Sequence, residues 1–148
     1  MAEPRRVSRS RVVDAPPKAV FALLTDPRAH PSFDGSGSVK ETLSAPDRLE
    51  LGSRFGMRMH LLVPYVITNE VVEYEADRLI AWQHFGHHRW RYELTPLDGG
   101  HRTEVTETFD WSTSRAPWFI ERMGYPARNA AAMDATLERL AGVLATSA

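Results

Sequence analysis

Three side chains in the second half of the chain are of the types that carry out proton transfer: His84, Tyr92 and Glu107. Each lies at an inward-facing position of a predicted strand. An imidazole can take up a proton near neutral pH, and burial raises the pKa of a carboxyl group. A tyrosine hydroxyl can donate a hydrogen bond to a developing enolate oxygen. This combination would suit a reaction that begins at an enolisable ketone.

Each of these residues also has a structural explanation that needs no chemistry. His84 lies at the end of a strand, where water can solvate it. A β-bulge could turn Glu107 outward, so that Thr106 and Thr108 take its face. Tyr92 could be a core aromatic residue with its hydroxyl group at the rim. The sequence therefore leaves the catalytic role of the three residues open.

A turn that carries His84, His87 and His88 is the candidate for metal binding. Imidazoles at this spacing can ligate a metal ion. A flexible hairpin without a nearby carboxylate favours a polar turn instead, and we predict no metal site. The chain has no cysteine, which excludes disulfides and thiolate zinc sites. Phosphate-loop and dinucleotide motifs are absent from the sequence as well, so we predict no cofactor.

Short strands and helices must position these side chains. A strand over residues 6–14 precedes a helix over residues 18–25, which Pro17 can begin because its missing N–H is unpaired there. Asp26 can cap a second short helix that ends near Pro31. The short connections further on favour antiparallel neighbours, so the later strands are expected to form a meander. A period of two in the apolar residues predicts these six strands over residues 39–43, 54–61, 65–74, 78–85, 90–97 and 103–111.

The last helix is the one long amphipathic element in this prediction. It runs from Pro126 to about Leu144, after a shorter helix over residues 116–123. An apolar face of the sheet must be covered, and the last helix is the element available to cover it, so the sheet is expected to curve around this helix. The predicted fold class is α+β, with a single domain over residues 1–148. The apolar stripe of the helix contains Ala130, Met133, Leu137, Leu140, Ala141 and Leu144.

The inward face of the sheet is rich in large aromatic and methionine side chains, whereas the helix stripe is small. Large and small groups can interdigitate in a filled core, or the curved sheet can leave an apolar cavity that binds a ligand. Loops over residues 33–38 and 112–125 could open and close such a cavity. The predicted ligand-binding residues are Phe33, Phe55, Met57, Met59, Trp82, Trp90, Tyr92, Phe109, Trp111, Met123, Met133 and Leu137.

Several segments resemble those of a known superfamily. They are VVDAPPKAVFALLTDP at residues 12–27, NEVVEYEADRLIAW at residues 69–82, WRYEL at residues 90–94 before a Gly-Gly turn, and TEVTET at residues 103–108. Together with the final helix they resemble the START/Bet v 1-like (SRPBCC) superfamily, within its polyketide cyclase/dehydrase and lipid transport group. The resemblance covers nearly the whole chain. It implies a helix-grip fold, in which a seven-stranded antiparallel sheet grips the C-terminal helix around a hydrophobic cavity.

The resemblance implies function less closely than fold, because one fold serves many functions. Members of the superfamily bind lipids, sterols, isoprenoids or polyketides, and some catalyse aromatic ring closure. We predict binding or transport of a small hydrophobic ligand. One alternative is a polyketide cyclase or dehydratase. A second is a regulatory protein of a bacterial stress or toxin–antitoxin pair, for which the exposed-looking segment 118–120 is the feature in favour.

Composition limits the other partners. The formal net charge of −1 argues against a nucleic-acid-binding protein, which usually carries a strong basic excess. No stretch approaches the roughly 20 apolar residues that a membrane-spanning helix needs. We therefore predict a cytoplasmic protein, monomeric or homodimeric, with no nucleic acid partner and no stable membrane insertion.

Overall fold

A computed structural model describes residues 5–35, 39–60, 63–84 and 86–146. The strands are β1 (Arg6–Val13), β2 (Val39–Ser44), β3 (Arg54–His60), β4 (Pro64–Glu75), β5 (Leu79–Gln83), β6 (Arg89–Leu97) and β7 (Arg102–Asp110). The helices are α1 (Pro17–Leu24), α2 (His30–Phe33), α3 (Pro117–Arg122) and α4 (Tyr125–Thr146). The last residues of two predicted strands and of one predicted loop lie outside the described residues: Leu61, Phe85 and residues 36–38.

The seven strands form one antiparallel sheet in the order β1-β7-β6-β5-β4-β3-β2. Strands β2 to β7 follow one another as the predicted meander, and β1 joins the sheet beside β7 with Arg6 opposite Asp110 and Val13 opposite Thr103. The sheet curls around α4, which confirms the predicted α+β helix-grip fold. Its curvature brings residues of distant strands around one common space.

Two short helices after β1 close one end of the sheet. Pro17 begins α1, and Val20 and Leu24 are buried in the main core. The Asp26 side chain accepts a hydrogen bond from the Arg28 backbone N–H at 3.1 Å, which caps a single 3₁₀ turn. Helix α2 then continues through residue 33, whereas the sequence predicted an end near residue 31. This extension buries the side chain of Phe33, whereas that of Ser32 is exposed.

Helix α4 has 22 residues, which corresponds to a length of about 33 Å. Its buried stripe includes Met133, Leu137, Leu140 and Leu144, as predicted, and also Thr136, which the apolar pattern did not include. Residues 137–144 of the stripe pack in the main core together with α1. The first half of the helix has a different environment, because it borders a cavity.

No helix among the described residues is both long enough and apolar enough to cross a membrane.

Candidate functional site

A cavity of about 890 Å³ lies between the inner face of the sheet and the first half of α4. Its wall includes Met57 of β3, Trp82 of β5, Phe109 of β7 and Met133 of α4. The volume falls in the range of small-molecule sites. Of the two possibilities left open by the sequence, the structure therefore has the cavity rather than the completely filled core.

Most of the residues predicted to bind a ligand lie on the wall of this cavity. Their spacing of two along each strand places them on one face of the sheet. Their contact with a ligand remains a prediction. The residues concerned are Phe33, Phe55, Met57, Met59, Trp82, Trp90, Tyr92, Phe109 and Met133.

The other three residues predicted to bind a ligand, Trp111, Met123 and Leu137, do not line the cavity. Trp111 lies just beyond β7, where its indole Nε1 donates a hydrogen bond to Glu121 Oε2 at 3.2 Å. Met123 follows α3 and is 48% exposed. Leu137 is 2% exposed and belongs to the main core rather than to the cavity wall.

Glu107 and Tyr92 form the central polar pair of the cavity. They lie directly opposite each other on β7 and β6, and both line the cavity. The Tyr92 hydroxyl donates a hydrogen bond to Glu107 Oε2 at 2.8 Å. Glu107 is only 2% exposed, so its predicted inward position is confirmed and the β-bulge alternative is wrong.

Burial dominates the electrostatics of this pair. Loss of hydration raises the pKa of Glu107 to about 8, against the lowering effect of the Tyr92 hydrogen bond, while Asp34 and Asp134 raise it further. The carboxyl group is therefore largely protonated at neutral pH. Burial, together with the nearby Glu107, raises the pKa of Tyr92 well above its usual value, so the phenol keeps its proton.

His30 is a polar wall residue that the sequence analysis missed. It is 5% exposed, and its Nε2 lies 2.9 Å from the backbone oxygen of Leu24. Its ring stacks on Trp82 with 4.9 Å between ring centroids. Burial lowers the pKa of His30 to about 4, so the ring is neutral and Nε2–H is the donor to Leu24.

His84 and His88 occupy the turn between β5 and β6, also at the cavity wall. Their ring centroids are 4.3 Å apart in an edge-to-face contact. Burial lowers the pKa of both residues, that of His88 to about 4. Among the described residues, no group of three or more His, Asp or Glu side chains could hold a metal ion. The structure thus places His84 with His88, while Tyr92 is paired with Glu107.

The α2–β2 connection approaches α4 very closely at Gly35. The Gly35 N–H donates a hydrogen bond to Thr136 Oγ1 at 2.8 Å. A Cβ atom at this position would lie 2.3 Å from the backbone nitrogen of Thr136. Only glycine permits this contact without displacement, so the connection is fastened to α4 at the edge of the cavity.

The α3 side of the cavity presents large side chains to solvent. Trp118 is 64% exposed and Phe119 is 45% exposed, whereas Ile120 is buried. Phe119 belongs to the cavity wall, as does Tyr65 of β4. The exposure expected for the 118–120 segment therefore holds for two of its three residues.

A seven-stranded antiparallel sheet that grips a long C-terminal helix around a cavity defines the chain as a START/Bet v 1-like protein. The family model described as polyketide cyclase / dehydrase and lipid transport matches residues 4–145. The chain belongs to this family.

Relatives with known sequences and structures agree with this assignment. The uncharacterized protein Rv0088 of Mycobacterium tuberculosis is 42% identical over 144 residues, which cover 94% of this chain. The chain spans 64% of the length of the curated relatives it matches.

Two solved structures illustrate the shared fold. One is a crystal structure from Rhodobacter sphaeroides, with a TM-score of 0.73 at 19% identity, covering 96% of this chain and 93% of that one. The other is a START superfamily protein from Mycobacterium smegmatis, with a TM-score of 0.71 at 15% identity, covering 97% and 99%.

Proposed function

We propose that this protein binds one small hydrophobic molecule in the cavity and carries it without altering it. The observation that supports this function is the cavity itself, about 890 Å³ in volume, whose largely apolar wall includes aromatic and methionine side chains. Burial of apolar surface in such a space is favourable by roughly 25 cal/mol per Å². A lipid, isoprenoid or polyketide-like molecule has the apolar area to use it.

The arrangement of polar groups favours binding over turnover. Tyr92 and Glu107 form a pair, but His84 contacts His88 at the β5–β6 turn. A few polar groups in an otherwise apolar wall are typical of sites that orient a ligand.

Occupancy can be tested with a variant that fills the cavity. Ile67 of β4 lines the cavity, whereas its neighbour Val66 is 62% exposed. In Ile67→Trp the larger ring would occupy space needed by a ligand, and Val66→Trp is the matched control on the outer face. Mass spectrometry of an organic-solvent extract should find near one hydrophobic molecule per chain in the wild type and Val66→Trp, and much less in Ile67→Trp.

Equal recovery from all three proteins, with folding verified by circular dichroism, would contradict a ligand held inside the cavity. Recovery no greater than from an unrelated control protein would contradict the binding function.

A cyclase or dehydratase activity is the second candidate, and the protonated Glu107 in the cavity wall is the observation that favours it. A carboxyl group whose pKa is raised to about 8 can act as a general acid towards a bound ketide. Incubation with the recovered molecule or with a poly-β-keto thioester should then yield a cyclised or dehydrated product. Glu107→Gln would abolish formation of that product while binding is retained. If the wild-type protein leaves both compounds unchanged, the result argues that it carries its ligand without catalysis.

A further inference from the structure

One oxygen of the central polar pair has no partner within the protein. Glu107 Oε2 accepts the Tyr92 hydrogen bond, but Glu107 Oε1 is buried without a hydrogen-bond partner among the described residues. A buried polar atom in this condition carries an uncompensated desolvation cost. Glu107 belongs to the cavity wall, so a small shift of its side chain would present this oxygen to a molecule in the cavity, which can then compensate the cost.

The Tyr92 hydrogen bond also fixes which oxygen bears the proton. A phenol has one hydrogen, and that of Tyr92 is donated to Oε2. The proton of the neutral carboxyl group then resides on Oε1, where it is available to an acceptor in the cavity. Tyr92 thus holds the acid group in an orientation that presents one hydrogen-bond donor to the ligand.

The surroundings disfavour a charged ligand group at this place. Asp34 and Asp134 provide the negative field that adds to the pKa of Glu107, and this field opposes an anion at the Glu107 carboxyl group, although Arg115 and Arg128 also line the cavity. Burial that lowers the pKa of His30 and His88 to about 4 disfavours a cation in the same space. The other titratable groups that face the cavity are His84, Tyr65, Tyr125, Arg115 and Arg128.

We infer that the cavity selects hydrophobic ligands that carry a neutral carbonyl oxygen, and that Glu107 Oε1–H, held in place by Tyr92, donates the hydrogen bond that recognises it. A ketone or an ester meets this requirement. The inference rests on the proposed binding function and adds the chemical class of the ligand head. Glu107 is a binding residue in this arrangement, and Tyr92 is a positioning residue.

A matched series of eleven-carbon probes tests the selection: 2-undecanone, undecanoate and undecylamine, each titrated by calorimetry at pH 6.5. The wild type should bind the ketone at least tenfold more tightly than the amine or the carboxylate. In the Glu107→Leu, Tyr92→Phe double variant, which removes donor and positioning hydroxyl together, ketone affinity should fall about tenfold, as for one lost hydrogen bond. Affinity for the other two probes should not fall with it.

The pH dependence separates a donor role from a packing role. Deprotonation of Glu107 removes the donor, so ketone affinity of the wild type should be constant below pH 7 and should fall by about tenfold in total as the pH rises past its pKa of about 8. Glu107→Gln keeps an N–H donor that does not titrate, so it should bind the ketone with an affinity that is flat from pH 6 to 9.5.

Each failure has a distinct meaning. Equal affinity of the wild type for all three probes, or a wild-type pH profile as flat as that of Glu107→Gln, would overturn the carbonyl selection while cavity binding stands. Absence of binding of every probe, in a protein that also yields no extractable ligand, would overturn the proposed function itself.

Discussion

Replacement of Glu107 by Gln should change how the stability of the protein depends on pH. The carboxyl group has an unfolded-state pKa of 4.5, and burial raises the folded-state pKa to about 8. Between these values the folded state holds a proton that the unfolded state has released. The contribution of Glu107 to stability is therefore fully present below pH 4.5 and is lost as the pH rises through 8.

The size of this loss follows from the shift in pKa. A difference of about 3.5 units at about 1.4 kcal/mol per unit amounts to about 5 kcal/mol between pH 4.5 and pH 8. This is an appreciable part of the 5–15 kcal/mol that holds a typical domain folded. Glutamine has nearly the same shape and does not titrate, so its variant lacks this slope.

The assay is urea denaturation of the wild type and Glu107→Gln at each pH unit from 5 to 9. The free energy of unfolding of the wild type minus that of the variant should decrease by about 1.4 kcal/mol per pH unit from 5 to about 8 and then level off. His30 and His88 titrate in both proteins, so their contribution cancels in the difference. A difference that stays constant over this range would refute a buried, protonated Glu107.

Three other perturbations have defined outcomes. Tyr92→Phe removes the donor to Glu107 Oε2 and should lower the free energy of unfolding by about 1–3 kcal/mol in urea denaturation at pH 6. Because this hydrogen bond lowers the pKa of Glu107, the infrared C=O band of the protonated carboxyl group should persist to higher pH in the variant. An unchanged band would contradict the pairing. Gly35→Ala should destabilise the protein by about 1–3 kcal/mol, because the added Cβ clashes with Thr136. In the control variant Gly142→Ala the added Cβ meets nothing within 4 Å, so α4 should become more stable by up to about 1 kcal/mol. Equal shifts in the melting temperature of the two variants would argue against the close contact at Gly35. The lowered pKa of His30 makes the free energy of unfolding of the wild type fall by about 3 kcal/mol as the pH falls from 6.5 to 4. His30→Gln should remove this pH dependence. An unchanged slope between pH 6.5 and 4 would mean that His30 is solvated.

Alternation along the strands was sufficient to predict which residues face inward. The parity of Tyr92 and of Glu107 follows from their charged or apolar neighbours, and the structure confirms both. That the two side chains meet depends on the β6–β7 register, in which Tyr92 lies opposite Glu107. A pattern within one strand does not specify its register with the next, so the hydrogen bond was beyond reach of the sequence.

The volume of the cavity and the position of His30 in its wall were harder to predict, for different reasons. The volume depends on how strongly the sheet curves around α4, and patterning reports only which face is apolar. His30 was missed because α2 is a four-residue element whose own sequence shows no periodicity. Its stacking partner, Trp82, is 52 positions further along the chain. The nearest local signal was Asp26, which caps the preceding turn and sets the direction of α2.

The two halves of α4 perform separate tasks on one continuous helix. Residues from Tyr125 to Thr136 contribute to the cavity wall, whereas Leu137, Leu140 and Leu144 belong to the main core. Substitutions in the first three turns therefore alter the cavity wall together with the packing of Ala130 and Met133, while those in the last turns alter the main core. The proposed ligand preference can therefore diverge through one end of the helix while the main core at the other end keeps its packing.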